Sequence, residues 1–134
     1  MKRPLYVIAA LVCLGFPAGA DETSIESVIQ RQLDAFLQDD FSTAFTYASP
    51  SIKSLFGTPE RFGAMVRNGY PMVWRHAEVR FLDSETRDGR VWQNVMIRGA
   101  DEALHILEYH MVKGDGGEWK INAVRFREAP SGAV

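Results

Sequence analysis

The spacing of apolar residues changes once along this chain, and that change limits the folds the chain can adopt. Up to about Gly69, apolar side chains recur every three or four residues, as on helices that bury one face. From Trp74 onwards they alternate with polar side chains, as in strands. Between these halves, Thr58 and Pro59 predict the start of a helix. Its end is expected at Gly69 in the left-handed conformation, followed by an extended Tyr70–Pro71.

Three helical segments are predicted before that helix. A capping box that begins at Thr23 predicts the start of the first segment. Its apolar stripe consists of Ile25, Val28, Ile29, Leu33, Phe36 and Leu37. The second segment is expected to begin at Asp40 and to end at Ser49, because the residue before a proline avoids the helical region. A third, shorter segment follows and stops at Gly57.

Four strands are predicted after Trp74, separated by short turns rich in glycine and aspartate. They cover His76–Phe81, Val91–Ile97, Leu104–Val112 and a last segment around Ile121. The third is apolar on both faces, which indicates a central strand. In the fourth, one face is predicted to carry Trp119, Ile121, Ala123 and Arg125, and the other Val124 and Phe126. Short connections favour neighbours in chain order, so the predicted class is α+β, with N-terminal helices packed on a curved four-stranded antiparallel sheet.

Residues 1–20 have the three parts of a secretory signal peptide. Lys2 and Arg3 form a basic start, Pro4–Phe16 is an apolar run, and a short run of small residues ends at Ala20. The apolar run is shorter than the roughly 20 residues that cross a bilayer. We therefore expect export to the periplasm, with cleavage after Ala20 and no membrane anchor afterwards.

Cleavage would change the composition that matters for function. It would remove Cys13, the one cysteine of the sequence, and with it any disulfide or thiol chemistry. Without Lys2 and Arg3, 13 of the 15 basic residues remain against 17 acidic ones, a formal charge of −4 that argues against nucleic acid as a partner. The remaining residues, 21–134, would form a single domain with a loose tail from about residue 129.

Short motifs spread over most of the chain resemble one bacterial family. They read Ile29-x-x-Gln32-Leu33-x-Ala35-Phe36, Ala44-Phe45-x-x-Ala48-Ser49-Pro50, Phe56-Gly57, Met65-Val66-x-x-Gly69-Tyr70-Pro71-x-Val73, Gln93, Tyr109-x-Met111 and Gly117-x-Trp119-x-Ile121. On these residues the chain resembles the domain-of-unknown-function family 4864, within the wider nuclear transport factor 2-like superfamily of cone-shaped α+β domains. The resemblance implies a pocket between the helices and a concave sheet. It carries no catalytic role, because no enzyme motif of that superfamily matches residue by residue.

Glu108 and His110 form the sharpest catalytic hypothesis. They are two residues apart on a predicted strand, so they share a face with α-carbons about 7 Å apart. A carboxylate that near can raise a histidine's pKa and orient its ring, as acid–base catalysis requires. The alternatives are that both are solvated on a convex face, or that they pair with arginines of a neighbouring strand. His105 points to the opposite face, and no spacing predicts a metal site.

Four further polar residues are predicted to contact a ligand. Gln93 and Tyr109 lie on otherwise apolar strand faces, where a polar tip can orient a ligand, unless it is bonded within the core. Arg125 is expected near the mouth of the pocket, where it would receive an anionic group or pair with an acid. Tyr70 precedes a proline in a turn that is expected to close the pocket.

The leading hypothesis is an exported, non-enzymatic domain that binds a small apolar or amphipathic ligand, or a peptide, in its cone and uses no cofactor. Its basis is an apolar interior with few polar groups and no catalytic constellation. The first alternative is a hydrolase or isomerase that uses Glu108 and His110, or a pocket set around Gln93, Tyr109 and Arg125. The second is an interaction module that forms a homodimer through an apolar outer patch of Trp92, Met96, Val124 and Phe126.

Overall fold

The chain folds as helices followed by a sheet, in the order that the sequence predicts. The computed structural model describes the backbone of residues 20–127 and side chains from Ser24 onwards. Residues 1–19 of the predicted signal peptide and the predicted C-terminal tail lie outside this range. The helices are α1 (Ala20–Leu37), α2 (Phe41–Thr46), α3 (Pro50–Phe56), α4 (Pro59–Gly69) and α5 (Pro71–Trp74). The strands are β1 (His76–Arg87), β2 (Arg90–Gly99), β3 (Leu104–Lys113) and β4 (Trp119–Phe126).

Side-chain caps fix the starts of the three middle helices. The caps predicted at Asp40 and Thr58 are confirmed, since each side chain accepts a hydrogen bond of 3.2 Å from the backbone N–H three residues later. Ser49, which the sequence predicts only as an end, caps α3 in the same way at 3.2 Å. Pro50 and Pro59 occupy the first turns, where a missing N–H costs nothing.

Three predicted helix boundaries are wrong. α1 is already helical at Ala20, the first residue that the structure describes, so Thr23 lies inside the helix rather than at its cap. α2 ends at Thr46, before the predicted Ser49. Pro71 does not extend the chain but begins α5, because proline fits the first turn of a helix. Only Tyr70, the residue before that proline, leaves the helical region, with a φ of −136°. Tyr70 therefore ends α4, and Gly69 is its last helical residue rather than a left-handed cap.

The four strands pair antiparallel in chain order, which confirms the predicted meander and the α+β class. β3 lies inside the sheet, as its two apolar faces predict. Asp88 and Gly89 take φ values of 52° and 74° in the tight turn between β1 and β2, the conformation that a two-residue hairpin loop requires. β1 runs well beyond its predicted end, across a register shift between Phe81 and Ser84.

One face of the sheet, here the inner face, packs against the helices, and the opposite face is the outer face. The buried apolar residues of the inner face are Val95, Ile97, Leu107, Tyr109, Met111 and Ile121. They meet the buried part of the predicted α1 stripe, which is Ile25, Ile29, Leu33 and Phe36. Leu37, predicted in the same stripe, is 40% exposed.

β4 contains an extra residue that its alternating pattern does not reveal. His110 of β3 lies opposite Ala123, whereas the next residue, Met111, lies opposite Ile121. Asn122 is therefore unpaired in the ladder, as in a β-bulge. One extra residue exchanges the two faces of a strand beyond it.

The bulge corrects four predictions about β4. Arg125 and Ala123, expected to share a face with Ile121, pair with the outer-face residues Glu108 and His110. Val124 and Phe126, expected on the outer face, lie on the inner face instead, where Phe126 stacks on a tyrosine of the helical half. The predicted outer apolar patch therefore loses two of its four residues.

Candidate functional site

A cavity of about 260 Å³ lies between the helices and the inner face of the sheet. Its walls are largely apolar and come from α1, α3, α4 and α5, from the loop between α2 and α3, and from β3 and β4. The helix side is represented by Ile52, Leu55, Phe56, Phe62, Met65 and Val66. The polar residues in the wall are Gln32, Tyr70, Tyr109 and Asn122, and within residues 24–127 no charged side chain lines it.

Helix α3 forms the wall through which the cavity reaches solvent. Ile52, Leu55 and Phe56 all line the cavity, yet α3 has no buried residue. Leu55 is 72% exposed. A large apolar side chain that faces both the cavity and solvent indicates that the cavity is open here rather than sealed.

Two of the polar residues in the wall are bonded within the protein. The Tyr70 hydroxyl donates to the backbone oxygen of Val124 at 2.9 Å, which fastens the start of α5 to β4. The Gln32 side-chain amide donates to the backbone oxygen of Ala44 at 3.1 Å. These bonds fix both side chains in the wall and occupy one donor of each.

Tyr109 differs from them. Its side chain is completely buried, and its hydroxyl has no hydrogen-bond partner among the described residues. Burial, with a smaller contribution from Tyr70, raises the pKa of Tyr109 above its ordinary range, so the hydroxyl keeps its proton. One residue of the cavity wall, Tyr109, therefore carries a neutral O–H donor that has no acceptor among the described residues.

Gln93, predicted to contact a ligand, is occupied elsewhere. Its side-chain amide donates to the backbone oxygens of Leu82 and Asn94, at 2.8 and 2.9 Å. Leu82 lies in the register shift of β1, where a carbonyl loses its partner in the ladder. Gln93 replaces that partner, and it is not among the residues that line the cavity.

Glu108 and His110 share the outer face, as their spacing predicts. The Glu108 carboxylate is bound by two arginines, with Arg87 Nη2 at 2.7 Å from Oε2 and Arg125 Nε at 3.1 Å from Oε1. Its side chain is only 11% exposed. The predicted alternative of pairing with an arginine of a neighbouring strand is thus found for Arg125 of β4, which explains why Arg125 is not at the cavity. Arg87 reaches the same carboxylate from the end of β1, two strands away.

His110 belongs to a polar chain that crosses from the outer face to α3. The Ser49 hydroxyl already accepts the capping bond of α3, so it donates to Asn122 Oδ1 at 2.7 Å. Asn122 Nδ2 then donates to His110 Nδ1 at 3.2 Å, which assigns a neutral ring with its proton on Nε2. In agreement, burial lowers the pKa of His110, and Arg90 and Arg125 act in the same direction.

Trp92 holds the outer-face groups together. Its indole stacks on His110 with ring centroids 4.9 Å apart, and the Arg125 guanidinium lies 4.1 Å from the ring centroid. Within the described part of the chain, no hydrogen bond joins Glu108 to His110. The outer face is therefore an ion-paired and stacked cluster, not an assembled acid–base pair.

Sequence reasoning missed Ser49, Asn122 and Trp92 as members of this network. The Ser49-Pro50 dipeptide could have identified Ser49, since serine before proline is a common helix start. Asn122 gave no local signal, because a polar residue on an exposed strand face is ordinary. Trp92 was expected in an apolar patch rather than beneath charged side chains.

Neither metal ligation nor a membrane-spanning helix is found in the part of the chain that is described. No group of three or more His, Cys, Asp or Glu residues there could hold a metal ion. No helix there is both long and apolar enough to cross a bilayer.

These features define a small α+β domain whose helices cover one face of a four-stranded meander, with an apolar cavity between the two layers. The chain belongs to the family described as Domain of unknown function (DUF4864), whose profile matches residues 18–134. The family resemblance predicted from the sequence is thereby confirmed. No curated protein matches the chain.

Proposed function

We propose that this protein binds a small, neutral and mainly apolar molecule in the cavity between its helices and the inner face. The observation that carries the proposal is the lining: it is apolar on most sides, open beside Leu55 and free of charged side chains within residues 24–127. Concave apolar sites with a few polar groups are typical of small-molecule binding. An amphipathic ligand would leave its polar end at the mouth beside α3.

The size of the cavity supports a small molecule over a peptide. A dry cavity of about 150 Å³ takes benzene, so about 260 Å³ corresponds to roughly ten non-hydrogen atoms. At about 0.5 kcal/mol for each of these atoms, a simple probe would bind with a Kd of about 0.2 mM. A natural ligand with better complementarity would bind more tightly.

The proposal is tested by titrating the protein with acetophenone, a neutral probe of that size, and following the side-chain methyl signals by NMR. Saturable shifts are expected for Ile52, Leu55 and Met65. Met65→Trp, which places an indole in the cavity, should abolish the shifts of Ile52 and Leu55 without lowering the thermal midpoint. Met96→Trp on the outer face is the matched control and should leave binding intact. If the wild-type methyl signals do not shift saturably at millimolar probe, the proposal is lost.

We propose further that the domain adopts the cone of the nuclear transport factor 2-like superfamily. The support is the order of the elements, the one-sided packing of the helices and the position of the cavity. Superposition of an experimental structure on members of that superfamily would test it. A flat sheet without a concave inner face would contradict it.

Export to the periplasm is also a proposal. It rests on the basic start, the apolar run and the small residues up to Ala20 in the sequence. The full gene product, expressed in a bacterium with a periplasm, should be recovered from that compartment with Asp21 as its first residue by mass spectrometry. Recovery of a chain that retains residues 1–20 would refute cleavage.

A homodimer through the outer face is a second candidate function. The observation in its favour is an apolar group on that face formed by Met96, Leu104 and Ile106, of which the last two are 63% and 38% exposed. Analytical ultracentrifugation should then show a dimer that Ile106→Glu dissociates. A monomer at high concentration would exclude it. Catalysis by Glu108 and His110 has weaker support, because the arginines already occupy the carboxylate.

A further inference from the structure

We propose that Tyr109 sets the ligand class of this cavity, by donating one hydrogen bond to an uncharged acceptor on an otherwise apolar molecule. The inference rests on the proposed function and goes beyond it, since it names what the ligand must carry. The acceptor is the oxygen of a ketone, aldehyde, ester or ether, or an unprotonated ring nitrogen.

The position of Tyr109 is the first step. It lies on the internal strand β3, between Gln93 of β2 and Val124 of β4, and faces the helices. Its side chain is completely buried, and its hydroxyl has virtually no accessible surface in the ligand-free protein. The residue is nevertheless part of the cavity wall. A ligand in the cavity therefore reaches the hydroxyl by slightly displacing the side chains that cover it.

The missing partner is the second step. Buried hydroxyl groups in folded proteins are nearly always hydrogen-bonded, so an orphaned one calls for an explanation. Tyr70 is near enough to affect the pKa of Tyr109, yet its own hydroxyl is directed to Val124 and the two phenols are not bonded to each other. A bound acceptor would remove the cost of leaving the donor unpaired.

The charge of the ligand follows from the rest of the lining. A carboxylate would accept from Tyr109, but among residues 24–127 no cation lines the cavity to offset its desolvation. Within the same residues, a cation would meet no lining carboxylate. An alkyl ammonium group has no acceptor, so it would leave the phenolic O–H donor unpaired. An uncharged acceptor is the chemistry that the lining favours.

The test compares acetophenone with α-methylstyrene, which has the same skeleton with a methylene group in place of the carbonyl oxygen. The hydrocarbon enters any apolar cavity more readily from water. The measure is therefore how the ratio of the two dissociation constants changes between the wild type and Tyr109→Phe. We expect Tyr109→Phe to weaken acetophenone about 5- to 50-fold relative to α-methylstyrene. Tyr47→Phe, at a tyrosine that is not among the residues lining the cavity, should leave the ratio unchanged.

The outcomes separate this inference from the proposed function. Binding of both probes with a ratio that Tyr109→Phe does not change overturns the inference, as expected if a buried water occupies the hydroxyl, and leaves the proposed function standing. Binding of neither probe overturns both. Should Tyr109→Phe not fold, the infrared carbonyl band of acetophenone bound to the wild type decides. A band shifted from its position in hexane towards that in alcohol supports the hydrogen bond, and an unshifted band refutes it.

Discussion

Replacing Tyr109 with phenylalanine should stabilise the ligand-free fold, although it removes a polar group from a completely buried side chain. The ring that fills the space on the inner face is retained, so the apolar area buried on folding changes little. What disappears is a hydroxyl that loses its hydrogen bond to water on folding and gains none from the described protein groups. Such an unpaired group costs about 1–3 kcal/mol.

We take the lower end of that range, because a trapped water or a small shift of the wall can relieve part of the cost. A gain of about 1 kcal/mol corresponds to a rise of about 4 °C in the thermal midpoint for a domain of roughly this size. Tyr70→Phe provides the opposite case in the same cavity. Its hydroxyl bonds to Val124 at 2.9 Å, so its removal should cost about 0.5–1.5 kcal/mol.

The assay is urea unfolding followed by circular dichroism. The midpoints of the two variants and the wild type are compared, provided that the unfolding free energy depends on urea concentration with the same slope in all three. The expected order of midpoints is Tyr109→Phe above wild type and wild type above Tyr70→Phe. Equal destabilisation by the two substitutions would refute the reasoning, because it would mean that the Tyr109 hydroxyl has a partner in solution. That result would also remove the basis for an acceptor on the ligand.

Three further predictions concern the polar network and the caps. Glu108→Gln should lower the free energy of unfolding by about 1–2 kcal/mol, measured by urea midpoints. The loss is modest because the partners Arg87 and Arg125 are 42% and 53% exposed, so water screens both ion pairs. The pKa of His110 is lower in the folded state than in the unfolded state, so the unfolded chain binds the proton first as pH falls. Stability should therefore decrease as pH falls through the unfolded-state pKa of about 6.5. His110→Gln should remove that component of the urea-midpoint profile. Ser49→Ala should cost about 1 kcal/mol through loss of the α3 cap, measured by thermal unfolding.

Each of these predictions has a control in the chain. Glu102 forms an ion pair while 75% exposed, so Glu102→Gln should change stability far less than Glu108→Gln. Equal effects would mean that burial of Glu108 does not matter. Ser51 lies inside α3 and is exposed, so Ser51→Ala should not reproduce the loss at Ser49. A stability profile that keeps its full slope in His110→Gln would show that other groups titrate instead.

The helices could be predicted because their signals are local. Apolar residues three and four apart, and capping residues such as Asp40 and Thr58, act within one or two turns. The same locality explains the wrong boundary at Pro71, since proline is compatible both with an extended chain and with a first helical turn. Only the packing of Val73 into the core decides between them.

The faces of β4 could not be predicted, because the bulge depends on a contact between distant parts of the chain. Asn122 bonds to Ser49, 73 residues earlier, and the neighbouring Ile121 exchanges backbone bonds with residues of the α2–α3 loop. Alternation alone places Arg125 inward and Val124 outward, and one extra residue reverses both. Gln93 was misplaced for a related reason, since its partner Leu82 becomes available only through the register shift in β1.

The contrast between the two faces of the sheet explains why the cavity, rather than the cluster of titratable groups, carries the functional argument. On the outer face, Glu108 has its arginines and His110 has Asn122, so charges and rings are used to hold strands together. Asn94 Oδ1 is also buried without a partner, but Asn94 is not among the residues that line the cavity. Tyr109 combines an unpaired donor with a place in the cavity wall. A ligand in the apolar cavity can supply the hydrogen-bond acceptor that the Tyr109 hydroxyl lacks. The proposed function is therefore placed in the cavity.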